Sequence, residues 1–166
     1  MKRLLPYAEK AGALLKARKE TIAVGESSSG GLVAAALLAV PGASAYFVGG
    51  AVLYTRKSLV ALTQANEDDL TGVTPGTEAS ALMRARLVRE RLSATWGVSE
   101  SGVAGPTGSR YGYAPGHTSI AVSGPVEHAK IIETGNADRV ENMYLFGIAA
   151  LELLIEALEK SGPKSA

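Results

Sequence analysis

Apolar residues recur near helical spacing through Leu5, Ala8, Ala11, Leu14 and Leu15, which predicts an amphipathic helix over residues 4–19. The run Thr21-Ile22-Ala23-Val24 follows and reads as a short buried strand. The pattern then turns polar and glycine-rich in Gly25-Glu26-Ser27-Ser28-Ser29-Gly30-Gly31, and apolar again at once over residues 32–38, which predicts strand, turn and helix in succession. Pro41-Gly42-Ala43-Ser44 ends that helix. Residues 46–55 predict a second strand region, interrupted at Gly49-Gly50. Thr74-Pro75 with Glu78 has the order of a helix start (hydroxyl cap, proline, acid) and predicts a helix to about Leu92. Residues 98–104 read as a strand entering Gly105-Pro106-Thr107-Gly108. Residues 117–122 and 128–133 read as a hairpin, and 138–160 as a last helix.

This alternation predicts an α/β fold: a three-layer α/β/α sandwich with a mixed, mostly parallel sheet, as a single domain over residues 1–160 with a frayed tail at 161–166. A chain of 166 residues suits one core, and with only 5% aromatics that core must rest on Ala, Val, Leu and Ile. Seventeen basic against sixteen acidic residues leave a net charge of +1, which argues against a nucleic-acid partner. Cysteine is absent, which excludes disulfides, a thiolate nucleophile and Cys-ligated metal. The first twenty residues are too charged for a signal sequence, and no apolar run approaches the roughly 20 residues of a membrane span. The expectation is a cytoplasmic protein without membrane contact.

The segment GESSSGG carries the most chemistry. A strand feeding a glycine-bearing turn and then a helix presents free backbone N–H groups at the positive end of the helix dipole, an anion site. One serine suffices for a helix cap; three, with Glu26, point beyond capping. Gly25 and Gly30 have P-loop spacing, but Gly31 stands where the phosphate-binding lysine belongs. Gly25-Glu26-Ser27-Ser28-Ser29 approaches a nucleophile elbow without its second glycine. His117 and His128 read as ordinary surface or packing residues, so lysine or tyrosine is the better partner for an activated serine. The turn from Gly102 through Ala104, Gly105, Pro106, Thr107 and Gly108 faces the same crevice if its strand neighbours that of GESSSGG. Tyr54 and Lys57 end a strand that reaches towards it. The run Arg84, Arg86, Arg89 and Arg91 reads as a solvated helix face. No His/Asp/Glu cluster has metal-ligand spacing, so neither metal nor cofactor is expected.

Taken in order, Glu26-Ser27-Ser28-Ser29-Gly30-Gly31, Pro41-Gly42-Ala43-Ser44, Val52-Leu53-Tyr54-Thr55, Gly72-Val73-Thr74, Ser101 to Gly108 and the late Asp138-Arg139 resemble the CinA C-terminal family, with its ESCTGG, PGAS, VxYS, GAVS, TGIAGPxGG and GDR segments. The resemblance covers most of the chain. It implies a metal-independent amidohydrolase that converts nicotinamide mononucleotide to the nicotinate nucleotide and ammonia. It implies Ser27 or Ser29 as nucleophile, assisted by Tyr54, with the nearby Lys57 as the candidate base of this chain. Glu26, Ser28, Gly30, Gly31, Gly102, Ala104 to Gly108 and Arg139 would hold the nucleotide. The family's lysine, five residues after the strand-end tyrosine, is Leu59 here. The alternative is a catalytically weakened paralogue that binds a pyridine nucleotide or another phosphorylated ligand without turnover. The resemblance also implies a homodimer, for which residues 46–53 and the last helix, with Leu151, Leu154, Ile155 and Leu158, offer apolar surface.

Overall fold

The computed structural model describes residues 1–162. Strands β1 (Ile22–Glu26), β2 (Phe47–Val52), β3 (Trp96–Gly102), β4 (His117–Ser123) and β5 (His128–Glu133) form one sheet in the order β2-β1-β3-β4-β5. β1 is parallel to β2 and β3, while β4 is antiparallel to β3 and β5, so β4 alone is reversed. Helices α1 (Leu5–Arg18), α2 (Leu32–Leu38) and α6 (Arg139–Lys160) cover one face, and α5 (Glu78–Arg91) the other. The architecture is the three-layer sandwich expected from the alternation.

Strand periodicity sorts the core. Ile22 and Val24 of β1, with Trp96 and Val98 of β3, pack among α1, α2 and α6, while Ala23 between them faces α5. The α5 side is thin. Gly97 of β3 lies where a Cβ would meet the Ala85 carbonyl oxygen at 2.1 Å, and Ser99 Oγ donates to the Ala81 carbonyl at 2.6 Å. Small residues on both surfaces permit this approach. At the start of β3 the fully buried Trp96 donates its Nε1–H to Glu20 at 2.7 Å, and Glu20 also receives Arg18 Nε at 2.8 Å.

Four expectations change. Residues 56–70 form two short helices, α3 (Arg56–Thr63) and α4 (Glu67–Leu70), each opened by a capping box, Thr55 with Ser58 and Asn66 with Asp69. α5 begins after Thr77, whose side chain accepts from Ser80 N, so Thr74-Pro75 forms a turn ahead of the helix and not its cap. Leu151, Leu154, Ile155 and Leu158 of α6 are buried in the chain's own core and offer no surface for self-association. The apolar side chains that are exposed near that region's alternative, the β2 edge, include Val48 and Val52. Finally, Ser161 closes α6, with its N–H on the Ala157 carbonyl and its Oγ receiving Arg18 Nη2 at 2.7 Å; residues 163–166 of the expected tail lie outside the described residues. Among the described residues no helix is long and apolar enough to cross a membrane.

Candidate functional site

β1 and β3 are adjacent and parallel, so the turns that leave their carboxyl ends lie side by side. Gly102 N donates to Ser28 Oγ at 2.9 Å and stitches the two turns together. A cleft of about 550 Å³ opens here, with Ser27, Tyr54, Leu59, Arg84, Gly102 and Tyr113 among its walls. The crevice expected between GESSSGG and the second turn is therefore present.

Its anion cradle is already occupied by the chain's own carboxylates. Glu26, at the end of β1, accepts from the N–H groups of Gly31 (3.0 Å), Val33 (3.0 Å) and Ala34 (2.9 Å). It thereby caps α2 from the preceding strand, and none of the three serines does so: the α2 N-cap is Gly31, in the left-handed conformation. The second carboxylate is Glu100, fully buried in β3. It accepts from Ser27 N (3.1 Å), Ser29 N (2.8 Å), Ser28 Oγ (2.5 Å), Ser29 Oγ (2.8 Å) and Thr118 Oγ1 (3.1 Å). The amides of Ser27, Ser29 and Gly31, in the turn expected to bind an anion, are thus spent internally. Gly30 N also turns inward, to the Ser27 carbonyl at 3.2 Å.

Ser29 Oγ lies between the two acids, 2.7 Å from Glu26 and 2.8 Å from Glu100. One hydroxyl proton cannot serve both, so the second contact is made when one carboxyl group is protonated. Burial pushes the Glu26 carboxyl above its ordinary range; the helix amides and Ser29 pull it down, and the neighbouring Glu100 charge adds to the rise. Ser29 and Ser28 are held as structural donors. Ser27 differs: it lines the cleft, and its hydroxyl has no hydrogen-bond partner among the described residues. Of the two serines expected as nucleophile, the geometry leaves Ser27 free to meet a ligand.

The expected base, Lys57, is not among the residues lining the cleft. Lys57 does not end a strand; it sits in the first turn of α3 and is exposed, because Thr55 caps a helix at that point. Leu59, two residues on, is 2% exposed and lines the cleft. Tyr54 lines the cleft mouth at 58% exposure, its hydroxyl receiving Arg139 Nη2 at 3.3 Å. Arg139, the first residue of α6, also donates to the Gly105 carbonyl at 2.8 Å and so ties the second turn to the Tyr54 loop. His117 has both ring nitrogens engaged, with Glu133 and the Gly76 carbonyl, and stacks on Tyr113 at 3.9 Å between ring centroids. It behaves as the packing residue expected of it.

The second turn meets the cleft through Ser101-Gly102-Val103 and again through Ser109-Arg110-Tyr111. Between them the chain bends through Ala104, Gly105, Pro106, Thr107 and Gly108. Ala104 is buried with its carbonyl bound by Asn142 Nδ2, and Gly105 (φ +104°) lies where a Cβ would meet the Ala137 carbonyl at 2.6 Å. A Cβ on Gly108 would meet the Tyr113 carbonyl at 2.7 Å. Close backbone packing is what these glycines serve. Among the described residues no group of three or more His, Asp or Glu is placed to hold a metal ion.

The model of the CinA C-terminal domain matches residues 5–158. The chain belongs to the CinA C-terminal domain family. A CinA-like protein of a Cyanothece species is 42% identical over 119 residues, 70% of this chain and 28% of that protein. A CinA-like protein of Desulforapulum autotrophicum is 33% identical over 159 residues, 95% of this chain and 38% of that protein. The chain therefore spans less than two-fifths of the length of these curated relatives. The competence/damage inducible protein CihA of Agrobacterium tumefaciens matches with a TM-score of 0.85 at 26% identity, covering 95% of this chain and 96% of that one. A CinA superfamily protein of Klebsiella pneumoniae shares the fold, with a TM-score of 0.86 at 22% identity over 93% and 97% of the two chains.

Within this CinA domain, two residues that the motifs did not mark dominate the site's electrostatics. Glu100 had a signal: an acid inside a buried strand needs donors, and three consecutive serines supply them. Arg84 had one too. It falls in helical register with Ala81, Ala85 and Val88, the buried face of α5, while Arg86 on the outer face pairs with Glu127. Arg84 is thus not part of a solvated face: it is 8% exposed and lines the cleft.

Proposed function

We propose that this CinA-family domain binds a phosphorylated nucleotide of the pyridine class in the cleft without deamidating it. The observation that carries the reading is Glu100. Its carboxylate takes the N–H groups of Ser27 and Ser29, so a fixed negative group occupies the donors that acyl transfer would need for a developing oxyanion. Losing one such donor costs roughly 10²–10³ in rate. Leu59 adds to this, since a missing general base typically costs about 10²–10⁴. Binding keeps its support: the volume of about 550 Å³ fits a small-molecule site, and two exposed arginines line the cleft, Arg110 and Arg56, the latter paired with Glu67, as cations suited to a phosphate.

The open Ser27 hydroxyl favours a second reading, an amidohydrolase with Ser27 as nucleophile. Purified protein incubated with nicotinamide mononucleotide separates the two. Binding heat by calorimetry with no ammonia above blank is the expected result. Ammonia release that disappears in Ser27→Ala would replace the binding reading with the hydrolase.

A further inference from the structure

We propose that the cleft recognises a carboxylate, with Arg84 as the residue that reads it, so that the acid form of the nucleotide is held in preference to the amide. The inference rests on the binding reading above and names the ligand's chemistry.

Arg84 is more than nine-tenths buried, lines the cleft, and among the described residues makes one hydrogen bond, from Nη1 to the Leu53 carbonyl at 3.0 Å. Leu53 N in turn donates to the Glu26 carbonyl at 2.6 Å, which anchors the guanidinium against the strand end that leads into Ser27. Its Nε is a buried donor without a partner among the described residues. A buried donor left unpaired is costly, and a guanidinium offers only N–H groups in a planar fork that matches a carboxylate. A carboxamide presents one acceptor oxygen and an NH₂ that Arg84 cannot satisfy. Burial also lowers the Arg84 pKa by more than the facing Glu100 and Tyr111 restore, a sign that its charge is short of compensation.

Two further features of the walls suit a planar acid. Ser27 Oγ, a cleft hydroxyl without a partner among the described residues, can donate to a carboxylate oxygen, which gives this serine a binding role in place of a nucleophilic one. Leu59, Met83 and the Tyr113 ring supply the apolar surface that a flat ring needs.

The test is a calorimetric titration of the protein with nicotinate mononucleotide and nicotinamide mononucleotide, and with free nicotinate and nicotinamide, in wild type, Arg84→Met and Arg84→Lys. The acid nucleotide should bind at least about tenfold tighter than the amide in wild type. Arg84→Met should erase that preference with amide affinity retained, and Arg84→Lys should keep part of it. Retained amide affinity and an unaltered thermal melt show that the variants are folded. Equal affinities in wild type, or a loss in Arg84→Met that is the same for acid and amide, would overturn the inference. If neither nucleotide binds, the nucleotide reading falls; a nicotinate preference lost in Arg84→Met then upholds the carboxylate subsite alone, and no preference ends it. Ammonia release would count against the binding reading and leave the acid-over-amide comparison to decide this one.

Discussion

Glu100 and Arg84 are two buried charges at one cleft, and they are treated in opposite ways. Glu100 receives five hydrogen bonds, three of them from side-chain hydroxyls and two from backbone amides. Arg84 makes one, and keeps an orphan Nε. A charge with a full set of partners is part of the scaffold; one that lines a cleft with its hydrogen bonding incomplete is prepared for something that arrives from outside. The contrast also shows how a helix-terminus anion site can be closed without losing its shape: the fold supplies the anion.

Removing Glu100 should produce the largest effect. Glu100→Ala leaves two amides and the hydroxyls of Ser28 and Thr118 without this acceptor, while Ser29 keeps Glu26, and should cost at least about 3 kcal/mol in urea unfolding. A loss below about 1 kcal/mol would break the comparison, because Glu100 would not be structural.

Next comes the pH dependence attached to Glu26. Its carboxyl is raised above 4.5, chiefly by burial, so the folded state holds the proton more tightly than the unfolded state. Its contribution to stability is present below the ordinary glutamate range and is lost as pH rises through the raised value. The urea midpoint should therefore fall with pH in that window, and Glu26→Gln should flatten the slope. Glu127, Glu141 and Glu156 are lowered by hydrogen bonds to Arg86, Arg3 and Lys130, so their opposite slope lies below that window. Parallel slopes in wild type and Glu26→Gln would show that another group titrates.

The smallest effect on stability should come from Arg84→Met. Arg84 has one hydrogen bond among the described residues, and the Glu100 that faces it keeps its own donors without it, so replacing this charge by an apolar side chain of similar length should change unfolding by about 1 kcal/mol or less, in either direction. A loss as large as that of Glu100→Ala would make Arg84 structural and remove the difference between the two residues.

Much of this was readable beforehand. The order of elements and their layers followed from spacing, because short apolar runs bounded by turn residues mark the strands, buried throughout in β1, β3 and β4, and the longer segments with helical spacing mark the helices. The segment 56–70 was harder: α3 and α4 have eight and four residues, too few for a stripe, and only their capping boxes mark them. That short helix is also why Lys57 does not continue the strand before it. At the site, the motif located the crevice, but hydrogen-bond partners are a long-range property. Glu100 lies 71–73 positions from the serines it binds, and no local pattern in GESSSGG could reveal that its amides were already committed.

Trp96 has a consequence for observation. It is the sole tryptophan, fully buried, with its indole N–H on Glu20 at the opening end of β3, while the cleft lies beyond the closing end roughly 20 Å along the strand. Its emission therefore reports the integrity of the large core and is insulated from events at the cleft. Fluorescence of the unlabelled protein will follow denaturation with one clean signal and stay silent when a small molecule docks, so stability and occupancy can be read independently in the same cuvette.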